Sequence, residues 1–164
     1  SISPGEATGT YIIKGSESFL QGHFKDRPIF PASIMIEALG QLAVFYLLAA
    51  DDEKLPQDVD CNSIYFASCD GVRCHRICKP GDILTLQVKP RNIRHPLALF
   101  QGSITVDGEK ASVAEEIKLA FDYEQAILPE ISQGTGNGNG TSRVVANKKG
   151  ITHKAGRLSN PEKV

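Results

Sequence analysis

Gly22-His23-Phe24-Lys25-Asp26-Arg27-Pro28-Ile29-Phe30-Pro31-Ala32-Ser33 runs straight into Ile34-Met35-Ile36-Glu37-Ala38-Leu39-Gly40-Gln41-Leu42-Ala43-Val44-Phe45-Tyr46-Leu47-Leu48-Ala49-Ala50. The first part is a loop constrained by Gly22, Pro28 and Pro31. The second, Ser33–Ala50, is long enough for a helix of about five turns. That helix is apolar on nearly every side, which predicts burial all round rather than along one face. Ser33, or the residue before it, can cap its start. The run Asp51-Asp52-Glu53-Lys54-Leu55-Pro56 ends it. Glu37, Gly40 and Gln41 interrupt the apolar stretch, and a carboxylate at bilayer depth is costly. The segment therefore reads as a buried helix and not as a membrane span.

On the N-terminal side, Tyr11–Lys14 predicts a short strand, followed by a loop over Gly15–Pro31. On the C-terminal side the period changes. Ile64–Cys69, Val72–Lys79, Ile83–Lys89, Leu97–Val106 and Lys110–Tyr123 are rich in Val, Ile, Thr and Phe and predict strands. Two turns separate them, Lys79-Pro80-Gly81-Asp82 and Asp107-Gly108. One buried helix followed by an antiparallel meander is an α+β pattern and not βαβ.

From Ser132 the pattern stops, and Gly134–Gly140 has the composition of a flexible linker. The expected division is a folded domain over 1–132 and a flexible basic tail over 133–164. The tail holds six Lys/Arg and one acid, which is +5; the body holds 12 bases and 18 acids, which is −6. The sum, −1 over 164 residues with 41% apolar, excludes a strongly basic nucleic-acid binder and an acidic disordered chain. The start, SISPGEATGT, lacks the apolar core of a signal peptide. Cys61, Cys69, Cys74 and Cys78 form no Cys-x-x-Cys pair. On a strand, Cys74 and Cys78 would share one face and His75 would point to the other. The expectation is reduced cysteines acting as small apolar residues in a cytoplasmic protein, with no metal.

The opening segment also carries chemistry. His23 sits in a constrained loop. The helix that begins after Pro31 offers free N–H groups and a dipole to a carbonyl oxygen or anion. Glu37 lies about one turn into the helix, and Gln41 four residues on, on the same face. A buried, unpaired carboxyl would have its pKa pushed toward neutrality and would become a competent general acid. A histidine near its ordinary pKa of about 6.5 is a competent base. Together these are the parts for removing a proton beside a carbonyl and expelling a leaving group. Alone, a loop histidine is more often a surface residue, and a Glu–Gln pair is as often a structural network. The combination with two prolines points to a site.

Gly22-His23-Phe24, then Pro28-Ile29-Phe30-Pro31, then Glu37-Ala38-Leu39-Gly40-Gln41 resembles the signature of the β-hydroxyacyl-acyl-carrier-protein dehydratases of fatty-acid synthesis. Phe66–Arg76 and Lys79–Leu84 resemble that family's central strands and turn, and the resemblance covers roughly residues 10–123. It implies the hot-dog fold, a long helix wrapped by an antiparallel sheet. It implies that His23 takes the C2 proton of a β-hydroxyacyl thioester and that Glu37 protonates the departing C3 hydroxyl. The Ala32 N–H would hold the thioester carbonyl, the Ile29 carbonyl would orient the His23 ring, and Gln41 would support Glu37. The His of one protomer would meet the acid of another in a homodimer or a trimer of dimers. The partner would be an acyl carrier protein, and no cofactor would be required.

Some positions depart from the family pattern. Lys25 stands where Pro is frequent, Ala32 replaces Gly, and Cys69 and Cys74 replace larger apolar residues, which bears on chain length. Glu37 favours the subclass that only dehydrates, while Gln41–Leu47 resembles the subclass that also isomerises. The alternatives are a hot-dog acyl thioesterase and a non-catalytic acyl-binding domain. Acidic carriers dock by charge, which makes Arg73, Arg76, Lys79, Arg91 and Arg94 candidates for contact, with the basic tail as a further one.

Overall fold

The computed structural model describes residues 1–125. The expected basic tail, 133–164, and its proposed hold on an acidic partner lie outside the described residues. The chain forms β1 (Ile2–Ser3), β2 (Glu6–Ile12), a single 3-10 turn (Ser18–Leu20), α1 (Ala32–Ala49), β3 (Tyr65–Asp70), β4 (Arg73–Cys74), β5 (Ile83–Arg94), β6 (Leu97–Val106) and β7 (Glu109–Ala120). One seven-stranded sheet has the order β1-β2-β5-β6-β7-β3, with β4 also on β7. Every pairing is antiparallel. With one helix against the sheet, this is the expected α+β hot-dog arrangement.

Only β5-β6-β7 is a meander. β2 occupies the free edge of β5, which leaves the outer edge of β7 as the place where β3 and β4 can pair. Asp107 and Gly108 both take positive φ, 53° and 80°, as a two-residue hairpin turn between β6 and β7 requires. The strand expected over Val72–Lys79 shrinks to Arg73–Cys74. After His75 donates its N–H to the Ala111 carbonyl at 2.8 Å, the chain leaves β7, and the Cys78 carbonyl instead accepts the Phe30 N–H at 2.8 Å. Cys74 and Cys78 therefore do not share a strand face: Cys74 is exposed and Cys78 is buried.

α1 begins one residue before its expected start. Pro31 occupies the N-cap at φ −65°, ψ 139°, without a side-chain cap, and Ser33 falls inside the first turn, where it cannot cap. Proline supplies the needed φ in advance and has no N–H to leave unpaired. Met35, Leu39, Gly40, Ala43, Tyr46 and Leu47 are buried against the sheet, each large side chain contributing roughly 1.5–3 kcal/mol. Opposite them on the sheet stand the inward residues Leu84, Val88, Phe100, Ile104, Val106, Ile117 and Leu119. By length and composition α1 is apolar enough to cross a membrane, but it occupies the place of a core helix.

Burial all round is not what the chain provides. Glu37, Gln41, Phe45 and Leu48 form an exposed stripe along α1, because the sheet covers only one side of the helix. Phe45 is 51% and Leu48 44% exposed.

Two contacts lock α1 onto the sheet. At Gly102 a Cβ would come within 2.9 Å of Leu39 Cδ1 and 3.0 Å of Ile117 Cδ1, so the helix approaches β6 as closely as a missing side chain allows. At the other end, the fully buried Tyr46 donates its hydroxyl to Asp52 Oδ2 at 2.5 Å and accepts the Gly5 N–H at 3.1 Å. Burial and the Asp52 bond push the Tyr46 pKa up to about 12, against a pull downward from the Gly5 N–H. Burial alone would raise the Asp52 carboxyl, but the bonds from Tyr46 and the Lys54 N–H outweigh it and lower its pKa.

Gly102→Ala should destabilise the fold by about 1–3 kcal/mol through overpacking. Urea denaturation would measure this, and a midpoint equal to wild type would remove the close approach as a constraint. Tyr46→Phe should cost about 1–3 kcal/mol at neutral pH by leaving Asp52 desolvated and short of a donor. Asp52 is depressed in the folded state, so its contribution is present above its ordinary value of 3.8 and is lost as pH falls below it. Tyr46 is raised, so its contribution holds below its ordinary 10 and disappears as pH climbs through about 12. Melting temperatures of wild type and Tyr46→Phe should therefore converge at both ends of a pH series. A constant gap would contradict the linkage.

Candidate active site

The loop before α1 is built by main-chain bonds. The 3-10 turn ends at Leu20, whose carbonyl accepts the His23 N–H at 3.1 Å. Phe24 and Arg27 exchange N–H and carbonyl in both directions at 3.0 Å, closing a tight turn over Lys25-Asp26. The Ile29 N–H donates to the His23 carbonyl at 2.7 Å. The His23–Phe24 peptide is cis, and the half-buried His23 ring stacks on Phe24 with centroids 4.4 Å apart. Ile29 and His23 are thus joined, but through the backbone with Ile29 as donor, where the resemblance implies a bond from the His23 ring to the Ile29 carbonyl. Among the described residues the ring makes no such bond.

Phe30 is the pivot between this loop and the helix. Its side chain is buried at 3% exposure, with the rings of Tyr11 and Phe19 packed on it at 5.7 and 5.4 Å. Its N–H is held by the Cys78 carbonyl, the contact that residues 76–78 make once the chain has left the sheet. Pro31 then opens α1, and its carbonyl accepts the N–H groups of both Ile34 and Met35 at 3.1 Å. The N–H groups of Ala32 and Ser33 have no acceptor among the described residues. Two unpaired donors at the positive end of an 18-residue helix are suited to a carbonyl oxygen or an anion. Ala32 adopts helical backbone here, a conformation open to any L-residue.

Glu37 lies farther along α1, where Gln41 Nε2 donates to its Oε1 at 2.8 Å. Both are exposed, which corrects the expectation of a buried carboxyl: the face of α1 that carries them is turned away from the sheet. Among the described residues no hydrogen bond or ion pair joins His23 to Glu37.

Glu17 was not anticipated from the sequence. Its Oε1 accepts the Lys14 N–H at 2.8 Å and the Tyr11 hydroxyl at 2.9 Å, and its Oε2 accepts the Gly15 N–H at 2.7 Å. The Lys14 N–H is the main cause that brings its pKa down to about 2, with further help from its own N–H, Tyr11 and Gly15 against the effect of burial. The available signal was the run Lys14-Gly15-Ser16-Glu17, a turn followed by a side chain short enough to reach back to it.

Three of the five basic residues expected to meet a carrier are occupied elsewhere. Arg73 pairs with Glu115, Arg76 faces Asp82 at 3.8 Å and Glu109 at 3.6 Å, and Arg91 bonds Gln101. The side chains of Lys79 and Arg94 have no partner among the described residues. All four cysteines are free. Burial pushes the Cys69 and Cys78 thiols up, so they stay protonated at neutral pH. Among the described residues no cluster of three His, Cys, Asp or Glu side chains is arranged to hold a metal ion.

A family model described as a FabA-like domain matches residues 1–115. A 3-hydroxyacyl-[acyl-carrier-protein] dehydratase FabZ from Thermomicrobium roseum is 37% identical over 120 residues, covering 73% of this chain and 76% of that protein. Its counterpart from Bacillus pumilus is 36% identical over 126 residues, 77% of this chain and 78% of that protein. Among solved structures, the dehydratase heterocomplex ApeI:P from Xenorhabdus doucetiae aligns with a TM-score of 0.54 at 20% identity, over 72% of this chain and 89% of that one. A hypothetical thioesterase with coenzyme A from Streptococcus pneumoniae TIGR4 aligns with a TM-score of 0.56 at 11% identity, over 77% and 88%. The two structural likenesses bear on the hot-dog fold alone. The family model spans most of the chain and the sequence relatives exceed 30% identity over most of their length, and on these grounds the chain belongs to the FabA-like family of dehydratases.

Proposed function

We propose that this chain dehydrates (3R)-hydroxyacyl thioesters carried on acyl carrier protein to trans-2-enoyl thioesters. The observation that carries the reading is a single helix with two kinds of chemistry. Its start bears unpaired donors beside the His23 loop, and its uncovered face bears the Glu37–Gln41 pair. This arrangement occurs in a chain that belongs to a dehydratase family, with relatives named as 3-hydroxyacyl-[acyl-carrier-protein] dehydratases.

In this reading His23 withdraws the proton on C2. Negative charge moves onto the thioester oxygen, where the Ala32 N–H meets it at the positive end of α1. The C3–O bond then breaks, and Glu37, protonated, gives its proton to the departing hydroxyl, which leaves as water. His23 keeps the C2 proton and passes it to Glu37 or to solvent to reset the site. Gln41 holds the Glu37 carboxyl in place. In this reading His23 of one protomer faces Glu37 of another, in a homodimer or a trimer of dimers, in keeping with the lack of a hydrogen bond or ion pair between the two among the described residues. A second copy lying on the stripe Glu37, Gln41, Phe45 and Leu48 would also desolvate the acid, which a general acid at neutral pH needs. Lys79 and Arg94 are free to meet an acidic carrier. The free thiols suit a reducing cytoplasm.

The thioesterase alternative keeps the fold and the helix start but ends in a free thiol. His23→Ala and Glu37→Gln should each lower turnover by about 10²–10⁴-fold, the usual loss for a general base or acid. Purified mixed dimers, one chain of each variant, should regain about half of wild-type turnover, one of their two sites being intact. The assay follows enoyl-thioester absorbance and free thiol together. Mixed dimers as inactive as their parents would reject the shared site, and thiol release without enoyl product would replace dehydration by hydrolysis. Absence of any turnover would leave the acyl-binding alternative.

A further inference from the structure

Outside the residues so far given a chemical role, the densest set of polar bonds near the site converges on Glu17. Its carboxylate takes the Lys14 N–H, the Gly15 N–H and the Tyr11 hydroxyl at once, at 2.7–2.9 Å. This gathers the end of β2 and the turn after it around one side chain. Gly15 has a positive φ of 88°, and a Cβ there would meet Pro80 at 3.2 Å, so this turn also lies against the Lys79-Pro80-Gly81 turn. Tyr11 does more than close the bond. Its ring packs on Phe30, while Phe19, two residues after Glu17, packs edge-on against the same ring. Phe30 has Ile29, whose N–H holds the His23 carbonyl, on one side, and Pro31-Ala32, the start of α1, on the other.

We propose that Glu17 and Tyr11 are positioning residues for the dehydratase site: by fixing Phe30 they set the His23 loop and the Ala32 N–H relative to each other. The inference rests on the function proposed above. Neither residue touches the substrate in this account. Tyr11 is 38% exposed and Phe30 only 3%, so the Tyr11 ring is the outer cover that confines Phe30, and its hydroxyl bond to Glu17 is what keeps that cover in place. Base and carbonyl donor belong to one short segment, residues 23–32, and a shift of Phe30 displaces both ends. Misplacement of reacting groups by a fraction of a bond length costs rate rather than affinity.

The test uses the full chain with Tyr11→Phe, which removes one hydroxyl, and Glu17→Gln, which keeps the shape but loses the charge and one acceptor. At a temperature well below both melting points, Glu17→Gln should lower kcat about tenfold and Tyr11→Phe about fivefold, with KM within about twofold of wild type. The double variant should fall no further than Glu17→Gln alone, because both changes cut one link. Backbone amide resonances of His23 and Ala32 should move in both variants. Either result missing overturns the proposal: unchanged kcat means the clamp only stabilises, and unmoved His23 and Ala32 amides mean that no displacement reaches the site. If Glu17→Gln does not fold, Tyr11→Phe decides. A wild-type chain that forms no enoyl product would defeat the dehydratase reading on its own, and the amide shifts would still report whether Glu17 sets the loop.

Discussion

The close contact of Leu39 with Gly102 is the constraint on which the remainder of the molecule depends. One helix has to cover the inner face of a seven-stranded sheet, and no other helix among the described residues shares the task. The sheet must come near enough for Met35, Leu39, Ala43, Tyr46 and Leu47 to seal it. A side chain at position 102 would hold the two layers apart at their centre. Close packing of this kind leaves little slack, so the axis of α1 is set by the core and not by its own ends.

With the axis fixed, the position of the first turn of α1 follows, and with it the direction of its dipole. The loop from residue 22 to 31 then needs only to be held at a few points. Phe30 is held by the Cys78 carbonyl and by two aromatic rings, and Ile29 by its bond to His23. The departure of residues 76–78 from the sheet reads as a loss of strand when β4 is viewed alone. Viewed from Phe30 it is the source of the acceptor that anchors the loop before α1.

Much of this was legible in the sequence because it is local. Asp107-Gly108 specifies its hairpin turn within two residues. The spacing of Glu37 and Gln41 puts them on one helix face wherever the helix goes, and the segment from Gly22 to Gln41 carries its family likeness in a single stretch. What was not legible involves distance or shape. The place of β3 depends on which strand edge is left over, which no local period records. Tyr11, Glu17 and Phe30 are ordinary residues until the fold brings them together. The expectation of a buried Glu37 failed for a different reason. A helix apolar on nearly every side gives no period from which to read the side that the sheet leaves open, and that side is the one that carries Glu37. Similarly, Val72–Lys79 has strand composition throughout, but composition cannot register that Phe30 competes with β7 for its hydrogen bonds.

The Tyr46 hydroxyl ties the end of α1 and the loop after it to the start of the chain, since Asp52 lies six residues after it and Gly5 41 residues before. The Gly5 amide sits in an exposed turn between two short strands, where solvent exchange would ordinarily be fast. Here its hydrogen is held by a group rooted in the core, at the far end of the helix from the site. Exchange at Gly5 therefore waits on the breaking of this one bond, and the labelling rate of a surface amide reports how firmly the β1–β2 turn is docked on the end of the core helix.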